Sequence, residues 1–134
     1  MKFAVELRYA DTDQMGLIYF ARHLVYVDEA VGKFLKACGV DVLALEKQGV
    51  FIAVVHSEID FKKPLKYGEV CEVDINLDKI GNTSMSFNFS VYGNGELKSQ
   101  GKIVYVFIDK LGNKLKVPDD VRTRLEKNLT VVNP

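Results

Sequence analysis

Apolar positions follow two different periods along the chain, and the change from one to the other marks out the elements. From about His23 to Cys38, the residues Leu24, Val27, Val31, Phe34, Leu35 and Cys38 recur at spacings of three and four. Asp28, Glu29, Lys33 and Lys36 fill the other side. That is the pattern of a helix with one apolar stripe, and Gly39 stands where its C-terminal cap belongs. A second, weaker helical piece is expected over 42–47, stopped by Gly49. Beyond it the period is two. Residues 51–61 are rich in branched and aromatic side chains. Cys71, Val73, Ile75 and Leu77 alternate with Glu72, Asp74, Asn76 and Asp78; Met85, Phe87, Phe89 and Val91 alternate with Ser84, Ser86, Asn88 and Ser90. Each of these strands should carry one apolar and one wet face.

The remaining segments complete the order. Residues 2–8 alternate weakly and predict a first strand. Gly81-Asn82 and Gly93-Asn94-Gly95 are hairpin turn signals. A last strand over about 98–108 becomes apolar on both sides toward its end, which predicts cover on both faces there. Pro118-Asp119-Asp120 opens a short helix with Val121, Leu125 and Leu129 on one stripe. Strand, loop, long helix, a run of strands and a small helix make an α+β fold. Its simplest packing wraps a curved antiparallel sheet around the long helix, as a single domain over 1–134 with no repeat or linker.

Composition narrows the function. The 18 basic and 18 acidic residues cancel, so the basic excess of a nucleic-acid-binding domain is missing and no nucleic-acid partner is expected. The longest apolar runs, 51–55 and 103–108, are too short to span a bilayer. Glu6 and Arg8 interrupt the stretch where a signal peptide needs unbroken apolar residues, and a cytosolic location is expected. Cys38 and Cys71 read as buried free thiols. His23 and His56 fall outside any metal-ligand spacing, so no metal is expected.

The candidate chemistry lies in the loop before the long helix, Arg8-Tyr9-Ala10-Asp11-Thr12-Asp13-Gln14-Met15-Gly16-Leu17-Ile18-Tyr19-Phe20. Aspartates before a helix start commonly serve as turn or cap residues, and that remains one reading of both Asp11 and Asp13. The other is chemical. Unpaired main-chain N–H groups at a helix start carry positive dipole and suit a developing oxyanion. A carboxylate beside them can attack a carbonyl directly or take a proton from water. Gly16 permits a sharp turn and close approach to the backbone. His56 next to Ser57 suggests a hydrolytic pair, but neighbouring strand residues point to opposite faces, which excludes it.

Two stretches resemble a known family. Tyr9-Ala10-Asp11-Thr12-Asp13-Gln14-Met15-Gly16-Leu17-Ile18-Tyr19 is similar to the signature of hotdog-fold acyl-CoA thioesterases, in the group of 4-hydroxybenzoyl-CoA thioesterase and the Tol-Pal-associated thioesterases. Pro64-Leu65-Lys66-Tyr67-Gly68-Glu69 resembles the same family's Pro-x-x-Tyr-Gly-Asp segment. The resemblance implies a hotdog fold and hydrolysis of acyl-CoA, with coenzyme A as part of the substrate and no separate cofactor. It implies a homodimer or dimer of dimers with active sites at the subunit interface. By the match, Asp13 is the catalytic carboxylate, as nucleophile or general base, and the backbone amide of Phe20 polarises the carbonyl, with Gly16 shaping the loop. Asp11 braces the loop.

Tyr19, Arg22 and His23 are candidate substrate contacts, although His23 also reads as a packed or solvent-facing imidazole at the helix start. Lys62, Lys63 and Lys66 are candidates for the coenzyme A phosphates against the reading of a solvated strand end. Phe20, Arg22 and His23 replace the His or Tyr, Asn and Tyr frequent in the family; the backbone donor at Phe20 survives the change of side chain, and Arg22 and His23 bear on acyl preference. Asp28 and Glu29 read as a solvated helix face. The competing functions are a thioesterase for acyl groups on acyl carrier protein and a non-catalytic acyl-CoA-binding hotdog module. A hotdog dehydratase would need a His and an acidic residue in concert, and His23 lies outside the expected place.

Overall fold

The computed structural model describes residues 1–129; the end of the expected domain, 130–134, lies outside the described residues. The elements are β1 (Lys2–Val5), a 3-10 turn (Tyr9–Asp11), α1 (Arg22–Ala37), α2 (Val42–Lys47), β2 (Phe51–Phe61), β3 (Cys71–Ile80), β4 (Ser84–Gly93), β5 (Glu96–Ile108) and α3 (Asp119–Glu126). The strands join one sheet in the order β1-β3-β4-β5-β2, which leaves β1 and β2 at its edges. β1 runs antiparallel to β3, with Lys2 opposite Asp74 and Val5 opposite Cys71.

Differences from the expected elements have local causes. β1 ends at Val5 rather than residue 8 because its partner begins at Cys71, opposite Val5, and leaves Glu6 to Arg8 no ladder to join. Leu129 belongs to no helical stripe: α3 ends at Glu126, and Leu129 forms a parallel bridge with Leu77. β3, β4 and β5 each run further into their hairpins than the alternation indicates. The β4–β5 turn has Asn94 at φ 50° and Gly95 at φ 78°, both left-handed, as a two-residue turn of the primed type requires.

Contacts sort the chain into two compact units. The first comprises Met1–Phe34, Ile59–Ile75 and Phe89–Gly101; the second comprises Leu35–Glu58, Asn76–Asn88 and the chain from Lys102 onward. In the first, α1 buries Tyr26, Val27, Ala30, Val31 and Phe34, and β3 buries Cys71, Val73 and Ile75. Asp28 and Glu29 are exposed on α1, and Glu29 Oε2 lies 3.6 Å from Lys33 Nζ. In the second, Phe87 packs edge-to-face on Tyr105 at 5.8 Å between ring centroids. Tyr105, Val106 and Phe107 are buried in succession, so the end of β5 is covered on both faces. Here α1 closes in a Schellman motif: the Val40 N–H donates to Leu35 O at 2.9 Å and the Gly39 N–H to Lys36 O at 3.0 Å, with Gly39 at φ +84°.

Candidate active site

The loop between β1 and α1 is built from short-range hydrogen bonds that its composition invites. The Asp13 N–H donates to Leu17 O at 2.7 Å and the Gly16 N–H to Asp13 O at 3.2 Å. Gly16 sits at φ +75° with open space around it, a backbone state that glycine enters without cost. Asp13 Oδ1 accepts from the Met15 N–H at 2.8 Å and the Leu17 N–H at 3.1 Å, closing an Asx turn. The turn reading of Asp13 is therefore realised in one of its oxygens. Oδ2 accepts no hydrogen bond from any described residue, and the side chain is exposed.

Asp11 is placed in the opposite way. It is 4% exposed, and its Oδ2 accepts from the Tyr26 hydroxyl at 2.7 Å. Arg22 Nε stands 3.5 Å from Oδ1 and Arg8 Nε 3.9 Å from Oδ2. Its carbonyl accepts the Tyr19 N–H at 2.9 Å. Asp11 thus ties the loop to the first turns of α1. Arg22, a candidate substrate contact, faces this carboxylate and is absent from the cleft wall described next.

A cleft of about 480 Å³ opens beside the loop, lined by Asp13, Leu17, Ile18, Tyr19, Phe20, His23 and residues 61–65. The Arg22 N–H donates to Tyr19 O and the His23 N–H to Phe20 O as the chain enters α1. The N–H groups of Phe20 and Ala21 meet no acceptor among the described residues. The Phe20 ring stands edge-on to Phe61 at 6.0 Å and tilted against Tyr19 at 4.8 Å. The cleft wall is mostly apolar, with one carboxylate and Lys62 and Lys63 as its charges.

His23 is 2% exposed. Its Nδ1 lies 2.9 Å from Ser99 Oγ, and its ring is edge-on to Phe61 at 5.0 Å. Burial pushes its pKa down from 6.5 to about 4, so the imidazole is neutral at physiological pH. It is a packed side chain and a wall of the cleft at once.

The segment 62–69, whose first part, 62–65, lines the cleft, is clamped by Lys98. The carbonyl of Lys98 accepts the N–H groups of Lys62 at 2.8 Å and Lys63 at 3.1 Å. Its buried ammonium lies 3.1 Å from Glu69 Oε2 and 2.9 Å from Glu96 Oε1, and Glu69 Oε1 accepts the Lys66 N–H at 2.7 Å. A Cβ on Gly93 would come within 2.8 Å of Leu65 Cδ1 and 2.9 Å of Lys98 Cε, so glycine there leaves room for the clamp. The Ile18 N–H donates to Leu65 O at 2.8 Å, joining this segment to the Asp13 loop. Lys63 Nζ is engaged by Glu96 Oε2 at 2.9 Å. Lys62 has no acidic partner among the described residues. Lys66 and Gly16 do not line the cleft. Ser99 and Lys98 are structural members of the site that the sequence does not single out as such.

Residues 7–125 match the Thioesterase-like superfamily. The chain belongs to that superfamily. YneP of Bacillus subtilis (strain 168), named as a candidate acyl-CoA thioesterase, is 34% identical over 110 residues, covering 81% of this chain and 80% of YneP. Among solved structures, the hypothetical protein TT1821 from Thermus thermophilus superposes with a TM-score of 0.88 at 29% identity, covering 95% of this chain and 98% of that one. A thioesterase from the same species, complexed with coenzyme A and Zn, superposes with a TM-score of 0.80 at 25% identity, covering 94% of this chain and 91% of that one. The superfamily's α+β hotdog fold is the fold of this chain, and no helix among the described residues is long and apolar enough to cross a membrane.

Proposed function

We propose that the protein hydrolyses acyl-CoA thioesters in the Asp13 cleft, with Asp13 as nucleophile or general base and the Phe20 N–H as the donor to the thioester carbonyl. The observation that carries this reading is that Asp13, with a carboxylate oxygen without a partner, and Phe20, with a helix-start N–H without an acceptor, line the same cleft. As a member of its superfamily the chain is a thioester hydrolase. The Asx turn orients Asp13 through Oδ1 and leaves Oδ2 for chemistry. In one route Oδ2 attacks the carbonyl carbon, the coenzyme A thiolate leaves, and water hydrolyses the mixed anhydride. In the other Oδ2 takes the proton of the attacking water. Either way, negative charge grows on the carbonyl oxygen, where a fixed N–H stabilises it without reorganisation.

Lys62 and Lys63 give the cleft its positive charge, which suits the phosphates of coenzyme A; Lys62 is the freer of the two. Tyr19, Phe20 and Phe61 remain exposed at 49%, 59% and 47%. Such large apolar surface at a cleft favours a second subunit completing the site in a dimer or dimer of dimers. Cys38 and Cys71 are free, in keeping with a reducing, cytosolic location. Release of free thiol from a panel of acyl-CoAs, from acetyl to long-chain and aromatic, tests the reading. Thiol release from at least one member is expected, and none from any of them overturns it.

A further inference from the structure

His23 and Ser99 form a buried polar pair whose hydrogen bonding fixes where the imidazole proton sits. Ser99 is 0% exposed, and its hydroxyl has His23 Nδ1 as its one partner among the described residues. If Nδ1 carried the proton and donated to Oγ, the serine hydrogen would be buried without an acceptor, at a cost of about 1–3 kcal/mol. The serine therefore donates to Nδ1, and the neutral ring carries its proton on Nε2. No fully buried side-chain nitrogen or oxygen among the described residues lacks a hydrogen-bond partner, and Nε2 has none. The accessible sliver of this residue thus includes Nε2, and His23 is one of the residues that line the cleft. The result is an uncharged donor in a cleft whose lining is otherwise mostly apolar, with Asp13, Lys62 and Lys63 as its charges.

Asp13 and the two lysines that share the cleft are exposed, while His23 is buried. The cleft thus offers two kinds of polar group, the exposed charges of Asp13, Lys62 and Lys63 and one neutral donor on a buried residue, His23. We propose that His23, set in the Nε2–H form by Ser99, is a specificity-determining residue that selects acyl groups carrying an uncharged acceptor oxygen, a hydroxyl, ether or keto group, over plain hydrocarbon ones. A hydrocarbon acyl group strips water from the donor and returns nothing. An oxygenated one replaces the lost bond. Sites built to hydrogen-bond a substrate group discriminate strongly against analogues that lack it, whereas one net neutral bond is worth about tenfold. This inference rests on the hydrolytic reading above and names the substrate class of that same site.

The test compares kcat/KM within matched pairs: phenylacetyl-CoA against its 3- and 4-hydroxy derivatives, and hexanoyl-CoA against 5- and 6-hydroxyhexanoyl-CoA. At least one hydroxylated member is expected to be preferred about tenfold. His23→Phe brings that ratio close to one. His23→Gln, whose amide N–H reaches the place of Nε2, keeps a preference. Ser99→Ala frees the tautomer and lowers the ratio without the bulk change of the phenylalanine variant, so it carries the test if His23→Phe does not fold. A ratio near one in the parent protein, or an unchanged ratio in His23→Phe or Ser99→Ala, overturns the inference while leaving hydrolysis at Asp13 standing. Failure of the parent to hydrolyse any of these thioesters overturns the inference; failure across the wider acyl-CoA panel overturns the hydrolytic reading as well.

Discussion

Asp11 and Asp13 belong to one loop of one sequence motif, yet the first is buried among Tyr26, Arg22 and Arg8 while the second is exposed with one oxygen still unclaimed. The difference is one of partners rather than of residue type. A carboxylate surrounded by donors is fixed in place, which suits holding a helix start against a loop. A carboxylate held by a single oxygen keeps its orientation and retains a lone pair for chemistry. The same division recurs at the lysines, where Lys63 is bound by Glu96 and Lys62 is not.

Each side of this division can be broken separately. Asp13→Asn keeps a carbonyl oxygen for the turn amides and removes the reactive carboxylate. The expected result is a loss of about a hundred- to ten-thousand-fold in kcat with an unchanged urea midpoint; an active variant would erase the distinction. Asp11→Ala should show the reverse emphasis. It leaves the Tyr26 hydroxyl and the Arg22 guanidinium without their buried partner, and denaturant titration should show a loss of about 3 kcal/mol.

The buried side of the contrast is sharpened by pH. An unfolded imidazole takes up a proton near pH 6.5, whereas folded His23 refuses it until about 4. Its contribution is therefore complete above about pH 6.5 and is lost as pH falls toward 4, by ~3 kcal/mol. The difference in stability between the parent and His23→Phe, followed by urea titration from pH 7.5 to 4.5, isolates it from the carboxylates. The smallest effect belongs to the lysines. Lys62→Ala should raise KM for acyl-CoA a few-fold and steepen no other parameter, and Lys63→Ala should raise it less, because exposed charge pairs contribute under about 1 kcal/mol. Equal KM values would remove coenzyme A phosphate from the reading of Lys62.

Most of the fold was legible because its signals are local. The alternation in β3 and β4, the three-four spacing in α1 and the cap at Gly39 each concern residues within a turn or a ladder step of one another. α2 and β2 were bounded to the residue. The site was legible only where the motif names a position. His23 reads as a helix-start residue until Ser99, 76 positions away, is brought against it. Lys98 stands in the sequence only as the start of the last strand, whereas it lies buried against Glu69 and holds both ends of the segment 62–69. Arg22 looks like a free cation beside the loop, and its carboxylate partner becomes visible only when the 3-10 turn folds Asp11 inward. Pairings of this kind depend on distances across the sheet and loop that no spacing rule encodes.

Phe20 has a consequence of a different kind. Under the proposed mechanism it serves the reaction through its main chain, while its ring only shapes the mouth of the cleft beside Tyr19 and Phe61. Replacing the ring leaves the amide where it is, and exposed side chains of this sort can be exchanged at a cost of about half a kcal/mol or less. A lineage carrying this scaffold can therefore redraw what it admits without relearning how to cut it.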